Sequence, residues 1–307
     1  MKNRQNRILR NTFTASLAVY VLSSITTAVG TMVDGVIIGQ FLGVDPIAAF
    51  GIVSPIMIVF SLAGAVISVG ARARYTQLVG AGRVKEANGV FSLSWIISIG
   101  IALLMTVAVF IFSAPITQAL GATGNNINLL PKAQSYLLGL AFGLPAMNGT
   151  RILMAYMIFD NDRNLPVISS IVLTASDILF DLAAVTLIHG DTFEMGLATS
   201  LSYWLSFGAL LCHFFKKNIM LRFSFKEINW KEAGSIMISG MPNGACRLGS
   251  SLRTMVLNRL IAVVAASAAV AAYSSQRQAD AFLNPLTLGM ADTVAMLAYL
   301  SGKRTDQ

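Results

Sequence analysis

The stretch "DILFDLAAVTL", residues 177–187, places Asp177 and Asp181 four positions apart in an apolar run from Leu165 to Ile188 that has no other charge. At helical spacing the two carboxylates share one face, about 6 Å apart along the axis. A third carboxylate, Asp34, sits alone in the apolar run 11–41. An ionised aspartate inside a lipid bilayer costs roughly 2.5–3.5 kcal/mol on insertion scales. Such acids persist when they are paired, protonated or bound to a metal ion. Three of them brought together would take up a proton or a monovalent cation and release it when their surroundings change, which is the chemistry of an ion-coupled carrier. The competing reading is a fixed ion pair with a basic side chain, and Arg151 is the candidate partner.

The elements that must hold these acids follow from composition. Of 307 residues, 55% are hydrophobic and 12% charged, whereas soluble domains carry about 25% charged residues. The net charge of +8 forms no nucleic-acid stripe. It lies in short clusters between apolar runs, and a bilayer core needs about 20 mainly apolar residues per helix. Eight spans are expected, at 11–41, 46–71, 88–113, 133–159, 165–188, 195–215, 233–262 and 268–300. Arg247, Arg253 and Arg259 weaken the seventh, and Arg277, Asp280 and Asp292 weaken the eighth. Basic residues collect in alternate connections: the N-terminal tail, Arg72 to Lys85, Lys216 to Lys231, and the tail with Lys303 and Arg304. The intervening connections carry mainly Asp45, Asp191 and Glu194. This alternation predicts a cytoplasmic N-terminus. The first apolar run is too long for a cleaved signal peptide and reads as a retained helix.

Other classes of chemistry find no support. Cys212 and Cys246 have no CxxC partner, and His189 and His213 are isolated. No HExxH or GxxxxGK[ST] is present, so neither a metal centre nor bound ATP is expected. Fourteen methionines and seventeen phenylalanines suit an adaptable apolar site, although such residues more often face lipid or core. Pro55, Pro145 and Pro242 are candidate kinks. Sliding the chain by 223 residues sets "TMVDGVIIGQFLGVDPIAAF" (31–50) over "TMVLNRLIAVVAASAAVAAY" (254–273). That weak match suggests a second copy of a six-helix unit opening after the basic linker.

Several stretches resemble the multidrug and toxic compound extrusion (MATE) transporters. They are "VDGVIIGQFLGVDPIAAFGIVSPI", "VGARARYTQLVGAGRVKEANGVFSLS", "DNDRNLPVISSIV", "DILFDL", "EMGLATSLSYW" and "SGMPNGACRLGSSLRTMVLNRLIA". Each is loose, but their order and spacing extend to about Leu297. The resemblance implies a twelve-helix antiporter of two six-helix lobes, exporting organic, often cationic, compounds against sodium ions or protons. It further implies a cation site in the first lobe. Asp34 matches an aspartate late in the first helix, Asp181 the aspartate of an Asn-x-x-x-Asp pair in the fifth, and Thr199 a threonine in the sixth. Asp177 stands where the family usually has asparagine, which leaves the choice of ion open.

The expectation is therefore an all-α polytopic membrane protein of about eight transmembrane helices. Residues 1–220 would form a six-helix N-terminal lobe, and 221–307 the first two helices of a C-terminally truncated second lobe. The expected function is cation-coupled (Na+ or H+) export of small organic compounds across the plasma membrane, without cofactor, catalysis or nucleic acid. The cation-coupling residues would be Asp34, Asp177, Asp181 and Thr199. Two alternatives stay open: a flippase for a lipid-linked saccharide, disfavoured by the single buried arginine of the first lobe, and a truncated fragment that does not transport.

Overall fold

The computed structural model describes residues 28–120, 129–157, 159–160, 162, 164–216 and 219–264, together with residues 17, 21, 22, 25 and 26. Among these the chain is helical and has no strand. The elements are α1 (Ala28–Leu42), α2 (Val44–Gly80), α3 (Val84–Ala119), α4 (Leu129–Ala141), α5 (Leu144–Met157), α6 (Asn164–Thr186), α7 (Thr192–Leu211) and α8 (Lys231–Val264).

Long apolar runs with few charges make most of these helices, and glycine with proline punctuates them. The last turn of α1 widens to a π-helix over Ile38–Leu42, and Gly43, at φ 94°, redirects the chain into α2. The end of α2 is closed by a left-handed cap at Gly82 (φ 75°). There Gly82 N–H donates to Val79 O at 3.0 Å and Arg83 N–H to Leu78 O at 2.9 Å. Within α3, Phe112 leaves helical geometry three residues before Pro115, whose ring removes a backbone donor and crowds the preceding turn. The start of α7 is stapled by Asp191 N–H donating to Glu194 Oε2 at 2.8 Å.

Four described helices are long and apolar enough to cross a membrane: α2, α3, α6, and α7 with its short extension to Phe215. A fifth arises if α4 and α5, bent by 48° at Phe142–Gly143, count as one span. The expected fourth span is thus broken in the middle, and Pro145 sits just after the break as the second residue of α5. The expected seventh span is α8, which contains Pro242 and is not among the helices apolar enough to qualify. The eighth, 268–300, lies outside the described residues. One boundary also moves: α2 continues nine residues past its expected end, to Gly80. Arg72 and Arg74 therefore ride on the helix rather than in a loop.

The interior has two apolar centres. One gathers Ile38, Phe60, Leu137, Leu140, Leu144 and Met195 around α1, α2, α4, α5 and α7. The other gathers Ile67, Phe91, Leu153, Tyr156 and Leu210 at the end where the basic connections lie. Helix pairs are joined by small hydroxyls, as in bilayers, where apolar burial cannot drive association. Ser169 and Ser206 Oγ atoms lie 2.6 Å apart across α6 and α7, and Ser200 Oγ donates to Gly139 O at 2.7 Å across α7 and α4. The outer face of α3 presents Leu104 and Ile111, exposed by 72% and 65%, as a lipid-facing surface requires.

The connections sort into two ends. At one, Lys132 Nζ lies 3.5 Å from Asp191. At the other, the segment after α7 is strapped to the bundle. Asn88 Nδ2 donates to Met220 O at 3.0 Å, Ser224 N–H donates to Ser92 Oγ at 2.7 Å, and Phe223 packs on Phe91 and Trp95. Arg74 then clamps the start of α8 through both oxygens of Glu232, at 2.9 and 2.7 Å. Where α8 crosses α2, Gly70 and Gly240 allow backbone contact. A Cβ on Gly70 would strike Ile236 O, and one on Gly240 would strike Val66 O.

Candidate functional site

Asp34 is carried by α1, Asp177 and Asp181 by α6, and Thr199 by α7. The helical period sets Asp177 and Asp181 one turn apart, and the Ser169–Ser206 contact fixes α6 against α7 so that Thr199 comes level with Asp177. All three aspartates are buried, with Asp181 only 1% exposed. They lie within electrostatic reach of one another, and Thr199 and Ser202 of α7 lie beside Asp177. Thr174, one turn before Asp177, ties α6 to the first span by donating to Thr26 O at 3.1 Å.

The carboxylates are under-satisfied. Both oxygens of Asp181, and Oδ1 of Asp34 and of Asp177, are buried without a hydrogen-bond partner. Buried polar atoms in native proteins are nearly always paired, so four orphaned oxygens at one place mark a site short of a proton or a cation. Beside them opens a cavity of about 180 Å³ lined by Asp34, Asp177 and Thr199 together with Phe50, Tyr136 and Tyr203. Asp181 is not part of that lining. Among the described residues no three acidic, histidine or cysteine side chains converge enough to chelate a metal ion. The donor set suits a proton, or a cation held by fewer carboxylates with hydroxyl oxygens.

The structure therefore brings together Asp34, Asp177, Asp181 and Thr199 and leaves Arg151 out. Arg151 forms no ion pair with any of the aspartates, and the ionisable groups near it are Tyr203 and Arg247. Tyr136 and Tyr203 escaped the sequence reading. The spacing of Tyr203 four residues after Thr199 was the available signal, since it places both on one face of α7. His213 is also not isolated. Its Nδ1 lies 2.8 Å from Asp162 Oδ2 and its Nε2 lies 2.8 Å from Asp160 Oδ2, at the basic end of the bundle.

A bundle of membrane-length helices enclosing buried, unpaired acids beside a cavity defines a polytopic membrane protein with a transporter fold. The MatE family model matches residues 20–182, a span that includes Asp34, Asp177 and Asp181, and the chain belongs to that family. It is similar to the outward-facing conformation of a multidrug resistance MATE family transporter of the MOP superfamily (TM-score 0.83, 17% identity, covering 93% of this chain and 63% of that one). A MOP superfamily transporter from Pyrococcus furiosus Vc1, whose binding pocket of reverse polarity is said to suggest a different function, matches to the same degree (0.83, 17%, 93% and 63%). A MATE in the bent conformation matches with a TM-score of 0.82, at the same identity and coverage. The chain thus spans less than two thirds of the length of these structures. No curated protein matches it.

Proposed function

We propose that the protein is a cation-coupled antiporter that exports small organic, often cationic, compounds from the cell by alternating access. Asp34, Asp177, Asp181 and Thr199 hold the coupling ion, Na+ or H+. Residues 1–220 act as the N-terminal lobe and residues 221–307 as the opening of a second, in a plasma membrane with the basic end facing the cytoplasm. The observation that carries this reading is the set of orphaned carboxylate oxygens in membrane-length helices. Binding of the ion satisfies these atoms and favours the conformation that closes around them. By linkage, the exported compound must favour the opposite conformation.

The test is the unfolding temperature of the purified chain in uncharged detergent, at fixed ionic strength. Sodium exchanged for potassium, or a lowered pH, is expected to raise it, since a ligand that binds only the folded state stabilises by mass action. Asp181→Asn is expected to abolish the response. A folded protein indifferent to both ions, or a response undiminished in Asp181→Asn, would overturn the proposal.

A further inference from the structure

The segment between α7 and α8 lies where the bilayer ends. The span that begins at Thr192 stops at Phe215, and α8 begins at Lys231. Between these two helix ends the chain runs along the first turns of α3, itself a membrane-length helix. Leu221 and Phe223 turn inward, Phe223 onto Phe91, while Arg222 between them is exposed. Gly89 of α3 lets the strap lie close, since a Cβ there would strike Glu227 O. Asn88 and Ser92 hold its middle through hydrogen bonds to Met220 O and from Ser224 N–H. The strap is thus held in the plane where the helices leave the hydrocarbon.

Its outer face combines two kinds of side chain. Phe215, Phe225 and Trp230 are 87%, 61% and 63% exposed. Beside them Arg222, Lys226 and Lys231 are exposed, and so is Lys85, one turn before Gly89 on α3. Other cations of this end are engaged within the protein: Lys216 by Asp162, Arg74 by Glu232 and Arg83 by Glu86. Arg222, Lys226, Lys231 and Lys85 form no ion pair among the described residues. The exposed carboxylate on the strap is Glu227, one acid among four cations. Large aromatic rings left in water are unfavourable, whereas the headgroup layer suits them. Long basic side chains lay their stems on apolar surface and send their charges to the phosphates. A soluble acidic partner would use the cations but not the rings at the bilayer edge. We propose that this face is a binding surface for anionic lipid headgroups. They gather at Arg222, Lys226, Lys231 and Lys85 while Phe215, Phe225 and Trp230 enter the interfacial layer. The inference does not depend on which ion the aspartates hold.

Trp230 supplies the probe. The full chain, with Trp95 and Trp204 changed to phenylalanine, is reconstituted into vesicles of equimolar phosphatidylglycerol and phosphatidylcholine. In one preparation the phosphatidylglycerol carries brominated acyl chains, in the other the phosphatidylcholine does, and quenching of Trp230 is compared. Brominated phosphatidylglycerol is expected to quench about twofold or more strongly, because each cation near the surface attracts anionic lipid. The excess is expected to vanish when Arg222→Gln, Lys226→Gln and Lys231→Gln are combined, all exposed positions at which folding should be unaffected. It is expected to persist in Lys132→Gln, which removes a cation from the opposite end. Equal quenching by the two lipids would overturn the proposal, as would an excess undiminished in the triple variant. Quenching by neither would mean that protein or water, rather than lipid, covers the face, and would overturn it as well.

Discussion

Asp160 and Asp162 show what a satisfied acid looks like in this chain, against the orphaned oxygens of Asp181. Asp160 accepts from Met220 N–H at 2.8 Å and Leu221 N–H at 3.2 Å, and Asp162 accepts from Lys216 Nζ at 2.5 Å. Burial alone would raise the Asp162 carboxyl, but the hydrogen bonds from Lys216 and His213 outweigh it and hold it below the usual carboxylate range. A depressed folded value means stability that is complete above the unfolded value, near pH 4, and lost as pH falls through the lower folded value. Asp162→Asn is therefore expected to lower the unfolding temperature at pH 7, with the gap to wild type closing below about pH 4. A gap constant down to pH 3 would contradict the assignment. At this scale the sequence was legible where an acid interrupts an apolar run, as Asp34, Asp177 and Asp181 do. It was not legible where partners come from distant segments. His213 looked isolated because its two carboxylates lie more than fifty residues away.

Among the helices, the contact of α2 with α8 depends on the absence of two side chains. Gly240→Ala must push Val66 and the α2 backbone away, with an expected cost of about 1–3 kcal/mol in unfolding free energy. Gly249 on the same helix has open space around it. Gly249→Ala is expected to stabilise by roughly 0.4–1 kcal/mol through the unfolded chain. Equal effects of the two substitutions in a denaturant titration would argue against backbone contact at Gly240. Most helices were readable from charge-free runs, whose length alone sets a span. The end of α2 was not, because two arginines in "GARARYTQ" look like a loop until Glu232 is seen to pair with Arg74. The break between α4 and α5 had its signal in "FGLP": a proline disfavours helix in the residue before it, and a glycine precedes that.

In the whole molecule, the alternation of basic and acidic connections becomes two physical ends. Lys132 contacts Asp191 at one, while Asn88, Asp160 and Asp162 grip the chain after α7 at the other. In a variant with Cys212 and Cys246 replaced by serine, cysteines introduced at Lys132 and at Arg83 are expected to react with an impermeant thiol reagent from opposite sides of a sealed vesicle. Reaction from the same side would refute the arrangement. That strap also places a built-in optical probe. The indole of Trp95, whose Nε1 is buried without an acceptor, packs edge-on against Phe223 with ring centroids 5.4 Å apart. The ring is half-buried, so its emission wavelength depends on how far Phe223 keeps water from it. Any rearrangement that lifts residues 219–225 from α3 would let water reach it and shift the emission to the red. With Trp204 and Trp230 changed to phenylalanine, the intrinsic fluorescence of the chain would report in real time whether the strap holds during ion binding.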